Sequence, residues 1–146
     1  MSSVKHIALT VALLSIFALA VYVGRRADSA EKGSSMKITV GEHQFTVTVE
    51  DNATAEALEK HLPMTLVMNE LNGNEKYHYL SFSLPTNPYS PGKIQAGDIM
   101  LYGDGCLVVF YESCSTSYSY TRIGRIDDAA ELRTVVGAGD VQMTFE

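Results

Sequence analysis

The residues best equipped for chemistry fall in two clusters, at 69–76 and at 111–122. In the first, Asn69, Glu70, Asn72, Asn74, Glu75 and Lys76 surround the pair Asn72-Gly73. Asn69 and Glu70 close a run whose preceding alternate positions are apolar, and polar groups at strand ends line ligand mouths at barrel rims. There Glu70 accepts from a ligand donor, and Asn69 both donates and accepts. Turn chemistry alone accounts for the same residues as a solvated hairpin tip. In the second cluster, Tyr111, Tyr118, Tyr120 and Arg122 stand among Ser113, Ser115, Ser117 and Ser119. Tyrosine supplies a flat apolar face with one hydrogen-bonding tip, which suits sugars, aromatic ligands or peptides. Arginine holds a carboxylate bidentately. Tyr118, Tyr120 and Arg122 are spaced i, i+2, i+4 and share a face if this piece is a strand. An exposed strand face also favours tyrosine for its β-propensity, so the pattern serves both readings.

Other chemistries find less support. The histidines are His6, His43, His61 and His78. His78, between Tyr77 and Tyr79, reads as a satisfied barrel residue. His61 lies near a helix end, where a cation is favourable. No nucleophile elbow accompanies the many serines. Glu70 and Glu75 are too few carboxylates to argue a metal site. Asp98 after Gly97 reads as a turn-fixing residue. Cys106 and Cys114 are the two cysteines. At roughly 3.3 Å per extended residue they separate beyond disulfide reach unless a turn intervenes, so they are expected unpaired. No cofactor and no metal are expected.

These clusters must be carried by something smaller than the whole chain of 146 residues. Residues 7–23 carry no charge, with Lys5 before and Arg25-Arg26 after. The run is long for the core of a signal peptide and short for a spanning helix, which needs about 20 residues. Residues 1–30 therefore read as an export signal or membrane anchor, 31–35 as a linker, and 36–146 as one domain. The chain has 11 basic and 17 acidic residues, a net of −6. Without Lys5, Arg25, Arg26 and Asp28 the net becomes −8. No basic stripe exists, which argues against nucleic acid as a partner.

The domain reads as short strands with two short helices. Ile38 and Val40, then Phe45, Val47 and Val49, alternate with polar neighbours about a Gly41-Glu42 turn. Asp51-Asn52 precedes a helix over 53–62 that puts Ala55, Leu58 and Leu62 on one face and ends at Pro63. Met64, Leu66 and Met68 mark a third strand, Asn72-Gly73 a hairpin turn, and 76–82 the returning strand. The segment 85–97, with three prolines and two glycines, reads as a covering loop. Residues 98–102 and 106–112 form a buried hairpin about Gly103-Asp104-Gly105. Asp128 and Glu131 suggest a capping box for a helix reaching Val136, and Val141, Met143 and Phe145 a last strand. The spacing predicts a closed or nearly closed antiparallel barrel.

The succession 62-LPMTLVMNELNGNEKYHYL-80, 97-GDIMLYGDGCLVVFYES-113 and 118-YSYTRIGRI-126 resembles the small bacterial proteins described as cyclophilin-like. The resemblance covers essentially all of 36–146. It implies a mainly β fold, a small closed antiparallel cyclophilin-like β-barrel with two short helices, and no settled activity. The chain departs from true cyclophilins, having no phenylalanine-rich, glutamine-glycine-glycine run and no tryptophan. The leading expectation is an exported, extracytoplasmic binding module. It takes a small molecule or extended peptide at a rim built from Asn69, Glu70, Tyr111, Tyr118, Tyr120 and Arg122. The alternative is a divergent prolyl isomerase, with Arg122 or Arg125 as donor and Phe82, Met100 or Phe110 lining the slot. With Ile123 turned inward, Arg122 and Arg125 are expected on different faces, so only one qualifies. A third possibility is an interaction module held at the membrane by residues 7–23.

Overall fold

The computed structural model describes residues 34–146; the expected export segment at 1–30 and most of the linker lie outside them. Alternation of apolar and polar residues builds the opening hairpin, β1 (Ser35–Val40) and β2 (His43–Val49). Its register pairs Ile38 with Phe45, and Gly41 turns it at φ +59°. Met36, Ile38, Val40, Phe45 and Val47 are buried on one side. Helix α1 (Ala53–Glu59) follows, capped by Asn52, whose side chain accepts from Ala55 N at 2.8 Å. It buries Ala55 and Leu58, as expected, and stops short of Leu62.

Strands β3 (Met64–Leu71) and β4 (Glu75–Tyr79) meet at Asn72 and Gly73, which take the left-handed φ values of 56° and 69° that this turn demands. β4 ends earlier than the expected Phe82. Its chain leaves the ladder because Leu80 N and Leu84 N donate instead to Gly105 O (2.7 Å) and Asp104 O (2.8 Å) of the next hairpin's turn. The covering loop contains a short strand, β5 (Lys93–Ile94), that pairs with β8 (Cys114–Ser115). Neither was signalled by periodicity, since each has two residues. β6 (Asp98–Tyr102), β7 (Cys106–Phe110) and β9 (Thr121–Ile126) come between and after. Helix α2 (Leu132–Val136) and β10 (Val141–Phe145) finish the chain.

Eight strands close into one antiparallel barrel in the order β1-β10-β3-β4-β7-β6-β9-β2. Closure leaves no unpaired sheet edge. The interior holds the larger apolar cluster, including Ile99, Leu101, Leu107 and Val109. The intervening residues of the same strands, Met100, Cys106, Val108 and Phe110, point outward and form a second cluster with Ile94 and Tyr120. The β6–β7 hairpin is thus buried on both faces, which explains its nearly unbroken apolar run.

Two expectations need correction. α2 begins at Leu132, with Glu131 as an N-cap that makes no side-chain cap bond. Asp128 accepts from Ala130 N at 3.1 Å instead. A carboxylate satisfied by the backbone two residues on holds a turn in place of a helix start. The second concerns Arg122 and Arg125. The β6–β9 register jumps from Ile99↔Gly124 to Met100↔Arg122, a bulge at Ile123. One extra residue resets the alternation, so Ile123 is fully buried while both arginines reach the same Asp98 oxygen, at 3.1 and 2.7 Å. Gly124 belongs to the same irregularity, since a Cβ there would come within 2.6 Å of Thr48 O.

Candidate functional site

The 69–80 hairpin sends its side chains two ways. β4 pairs with β7 so that Lys76 opposes the inward Val109, while Glu75 and Tyr77 oppose the outward Phe110 and Val108. The inward residues form a closed polar knot. Lys76 is fully buried. Its Nζ donates to Glu70 Oε1 (3.1 Å) and to the carbonyls of Gly137 (2.8 Å) and Gly139 (2.5 Å). Tyr111 OH donates to the same carboxylate at 2.5 Å, and its ring lies 5.0 Å from the ammonium. Burial alone would raise the Glu70 carboxyl, but the bonds from Tyr111 and Lys76 outweigh it and hold the group below its ordinary value. Burial, then the bond to Glu70, pushes Tyr111 up to about 12. A shallow hollow lies beside this knot between Glu70, Tyr111, Arg133 and Gly137. The knot's donors and acceptors are already engaged with one another, and it ties the α2–β10 connection to the barrel.

The outward residues face a groove of about 470 Å³. Its floor includes Val108, Phe110, Cys106 and the buried Tyr120. Leu71, Tyr79, Tyr102 and Tyr118, all exposed, rim it. The rings meet in a series: Phe110 edge-on to Tyr120 (5.7 Å, 82°), Tyr120 tilted against Tyr102 (5.8 Å, 56°), and Tyr102 edge-on to Tyr118 (5.8 Å, 77°). Tyr77 and Tyr79 make a further edge contact at 5.8 Å. Polar groups converge from the β3–β4 turn. Asn74 Oδ1 is buried and has no hydrogen-bond partner. Glu75 also lines the groove, its carboxyl raised by burial and then by the charge of Glu70.

Both cysteines are free thiols and both line this groove. Burial and then the Glu75 charge raise Cys106. Burial raises Cys114 too; a hydrogen bond with the Asn74 side chain offsets part of this, and the Glu75 charge adds a smaller rise. Thiols shifted upward are protonated at neutral pH and poor nucleophiles. Among the described residues, no three His, Cys, Asp or Glu side chains are placed to hold a metal ion.

The six residues singled out in the sequence therefore occupy four places. Glu70 and Tyr111 meet in the inner knot. Tyr118 and Tyr120 line the outer groove, although Tyr118 lies outside any strand and Tyr120 only bridges Tyr89. Arg122 lines neither: it donates to Asp98 and, at 3.1 Å, to Tyr89 OH. Asn69 is half-buried opposite Tyr77 in the register. Asp98 fixes its turn as read, accepting from Gln95 N at 2.9 Å, and carries both arginines besides. His78 is satisfied, with Nδ1 2.8 Å from Val67 O. Of the alternative slot residues, Phe110 reaches the groove, Met100 packs beneath it, and Phe82 stacks on His61 elsewhere (3.6 Å). Tyr77, Tyr79 and Tyr102 join the groove without a signal in the sequence. Their convergence depends on β4 lying beside β7, a neighbour far along the chain.

The profile of the Cyclophilin-like family matches residues 38–146, nearly the whole of the described barrel. The chain belongs to the cyclophilin-like family. A similar solved structure is that of McbB in complex with tryptophan, with a TM-score of 0.55 and 18% sequence identity. The match covers 76% of this cyclophilin-like chain and 44% of McbB, so the chain spans less than half the length of that neighbour. The likeness is one of fold. Comparison with curated proteins gave no match.

Proposed function

We propose that this cyclophilin-like chain is a binding module that takes a small molecule or a short extended peptide segment in the outer groove. One observation carries the reading. Six large apolar side chains of the described domain are exposed: Val67, Leu71, Tyr79, Tyr89, Tyr102 and Tyr118. Four of them rim this one groove, above a floor that is already packed. Isolated exposed apolar residues are ordinary, whereas a contiguous set around a concavity marks a binding surface. Tyr118 and Tyr120 retain the ligand-contact role drawn from the sequence. Glu70, Tyr111, Asn69 and Arg122 act behind or beside the groove in this reading. McbB, which shares the fold, has been solved with tryptophan; the assignment here rests on the groove's own lining. The proposal includes export, carried by the uncharged run 7–23, and cell fractionation of the expressed chain tests that part.

The isomerase reading is less well supported. Such catalysis needs a donor aimed at the prolyl nitrogen beside an apolar slot, and no arginine, lysine or histidine is among the residues lining the groove. Saturation-transfer NMR of the full chain against aromatic fragments tests the binding reading. Binders that lose their signal in Tyr118→Ala are expected. Binders indifferent to Tyr118→Ala but sensitive to changes around Glu70 would move the site to the rim. A prolyl cis–trans assay completes the test: acceleration abolished by Arg122→Ala would make the protein an isomerase instead.

A further inference from the structure

We propose that the outer groove selects an organic cation: a primary amine on a flat or aliphatic body, bound with its ammonium between Glu75 and Asn74 and its body against the tyrosine rings. This inference rests on the groove being the binding site and names the class of ligand it takes. Three independent features converge on it. Glu75 is the one ionisable carboxyl in the lining, and no arginine, lysine or histidine among the described residues shares the groove to neutralise it. An anion entering there would meet an uncompensated like charge, whereas an ammonium would find its counter-ion. Next, Asn74 Oδ1 is a buried acceptor with no donor. Such a group costs free energy until something donates to it, and an ammonium carries three N–H donors. Last, five of the chain's eight tyrosines line the groove, namely Tyr77, Tyr79, Tyr102, Tyr118 and Tyr120. Stacked or edge-on rings present negative faces to a cation placed over them.

The surroundings agree. Glu75 stands opposite Phe110 in the strand register, and both line the same concavity as the tyrosine rings. The other acid nearby, Glu70, is spoken for by Lys76 and Tyr111 on the barrel's inner side. Thus one carboxyl, and not a pair, is left to hold the ligand, which suits a monocation and gives no basis for a divalent metal.

The chain has eight tyrosines and no tryptophan, so its own tyrosine fluorescence reports on this groove. The experiment titrates the full chain at neutral pH with three probes of similar size: 2-phenylethylammonium, 2-phenylethanol and 3-phenylpropionate. The expected order is cation first, then alcohol, with the carboxylate weakest, the cation leading the alcohol by about tenfold. Glu75→Gln, which keeps the shape and removes the charge, is expected to erase most of that lead. Glu42→Gln, an exposed charge change away from the groove, is expected to leave it in place. If the alcohol or the carboxylate binds as tightly as the cation, the inference fails and the groove remains a binding site. An unchanged preference in Glu75→Gln also overturns it. If none of the probes binds and Tyr118→Ala alters no fragment's NMR signal, the inference and the underlying placement of the site both fall.

Discussion

Glu70 and Glu75 flank one turn, and their surroundings are opposite. Glu70 faces into the barrel, where Lys76 and Tyr111 bond its carboxylate. Glu75 faces out, into a groove it shares with tyrosine rings and with Asn74, whose amide oxygen is unpaired. The inner side is a polar cluster with its partners built in, so its effect is on folding. A fully buried ammonium persists only with a counter-charge and with acceptors for its remaining protons, and the carbonyls of Gly137 and Gly139 supply the latter. The outer side keeps unmet capacity, so its effect is on whatever arrives. The period of two along a strand makes this division: neighbouring positions on β4 belong to different environments.

The contrast is broken most severely on the inner side. Glu70→Ala leaves Lys76 buried without a counter-ion and is expected to cost about 3–5 kcal/mol in urea unfolding. Replacing both partners with apolar residues, Glu70→Leu with Lys76→Met, should recover most of the loss, because the pair removed together leaves no stranded charge. A single-variant cost below about 1 kcal/mol would mean that water reaches Lys76 and that the knot is not closed. Next in size is Tyr111→Phe, which deletes one hydrogen bond to a charged acceptor. It should lower stability by about 1.5–3 kcal/mol and leave the outer groove's binding unchanged.

A smaller effect distinguishes the two carboxylates by sign. Glu70 is lowered in the folded chain, so its contribution is present above the ordinary value of 4.5 and is lost as pH falls through its depressed folded value. Glu75 is raised, so it opposes folding above its folded value, and that cost disappears as pH falls below 4.5. Stability profiles against pH should therefore shift in opposite directions for Glu70→Gln and Glu75→Gln. At neutral pH the first should destabilise and the second be neutral or stabilising. Two curves moving the same way would show that the two sides are not separate environments. The smallest change in stability is expected for Tyr118→Ala, within about 0.5 kcal/mol, since the ring is 60% exposed. Its effect should appear instead in ligand binding.

Much of the architecture was legible because it depends on near neighbours. Alternation in 36–40 and 43–49 specified a hairpin with one buried face. Asn72-Gly73 specified a turn by its tolerance of positive φ, and Asn52 a helix cap by its short acceptor side chain. The limits appeared where a competing local bond was open to the chain. Asp128 served a turn instead of a helix, and Leu80 left its strand for the carbonyl of Gly105. The bulge at Ile123 was invisible for a different reason: it is a mismatch between two strands, and neither strand carries it alone.

The candidate site divides along the same line. By itself the sequence determined that the 69–76 hairpin concentrates polar groups, that tyrosines crowd the segment at 118–120, and that the chain carries more acidic than basic residues. It also determined membership of the barrel's family, through motifs spread over the whole domain. Only the tertiary structure decided that Glu70 and Tyr111 belong to an inner knot. It alone brought Tyr77, Tyr79 and Tyr102 to Tyr118 and Tyr120, and drew Arg122 to Asp98. Strand pairing is the physical reason. A side chain's face follows from its own strand, but its neighbours follow from which strands lie beside it, and closing the barrel sets β4 against β7 across a long stretch of chain.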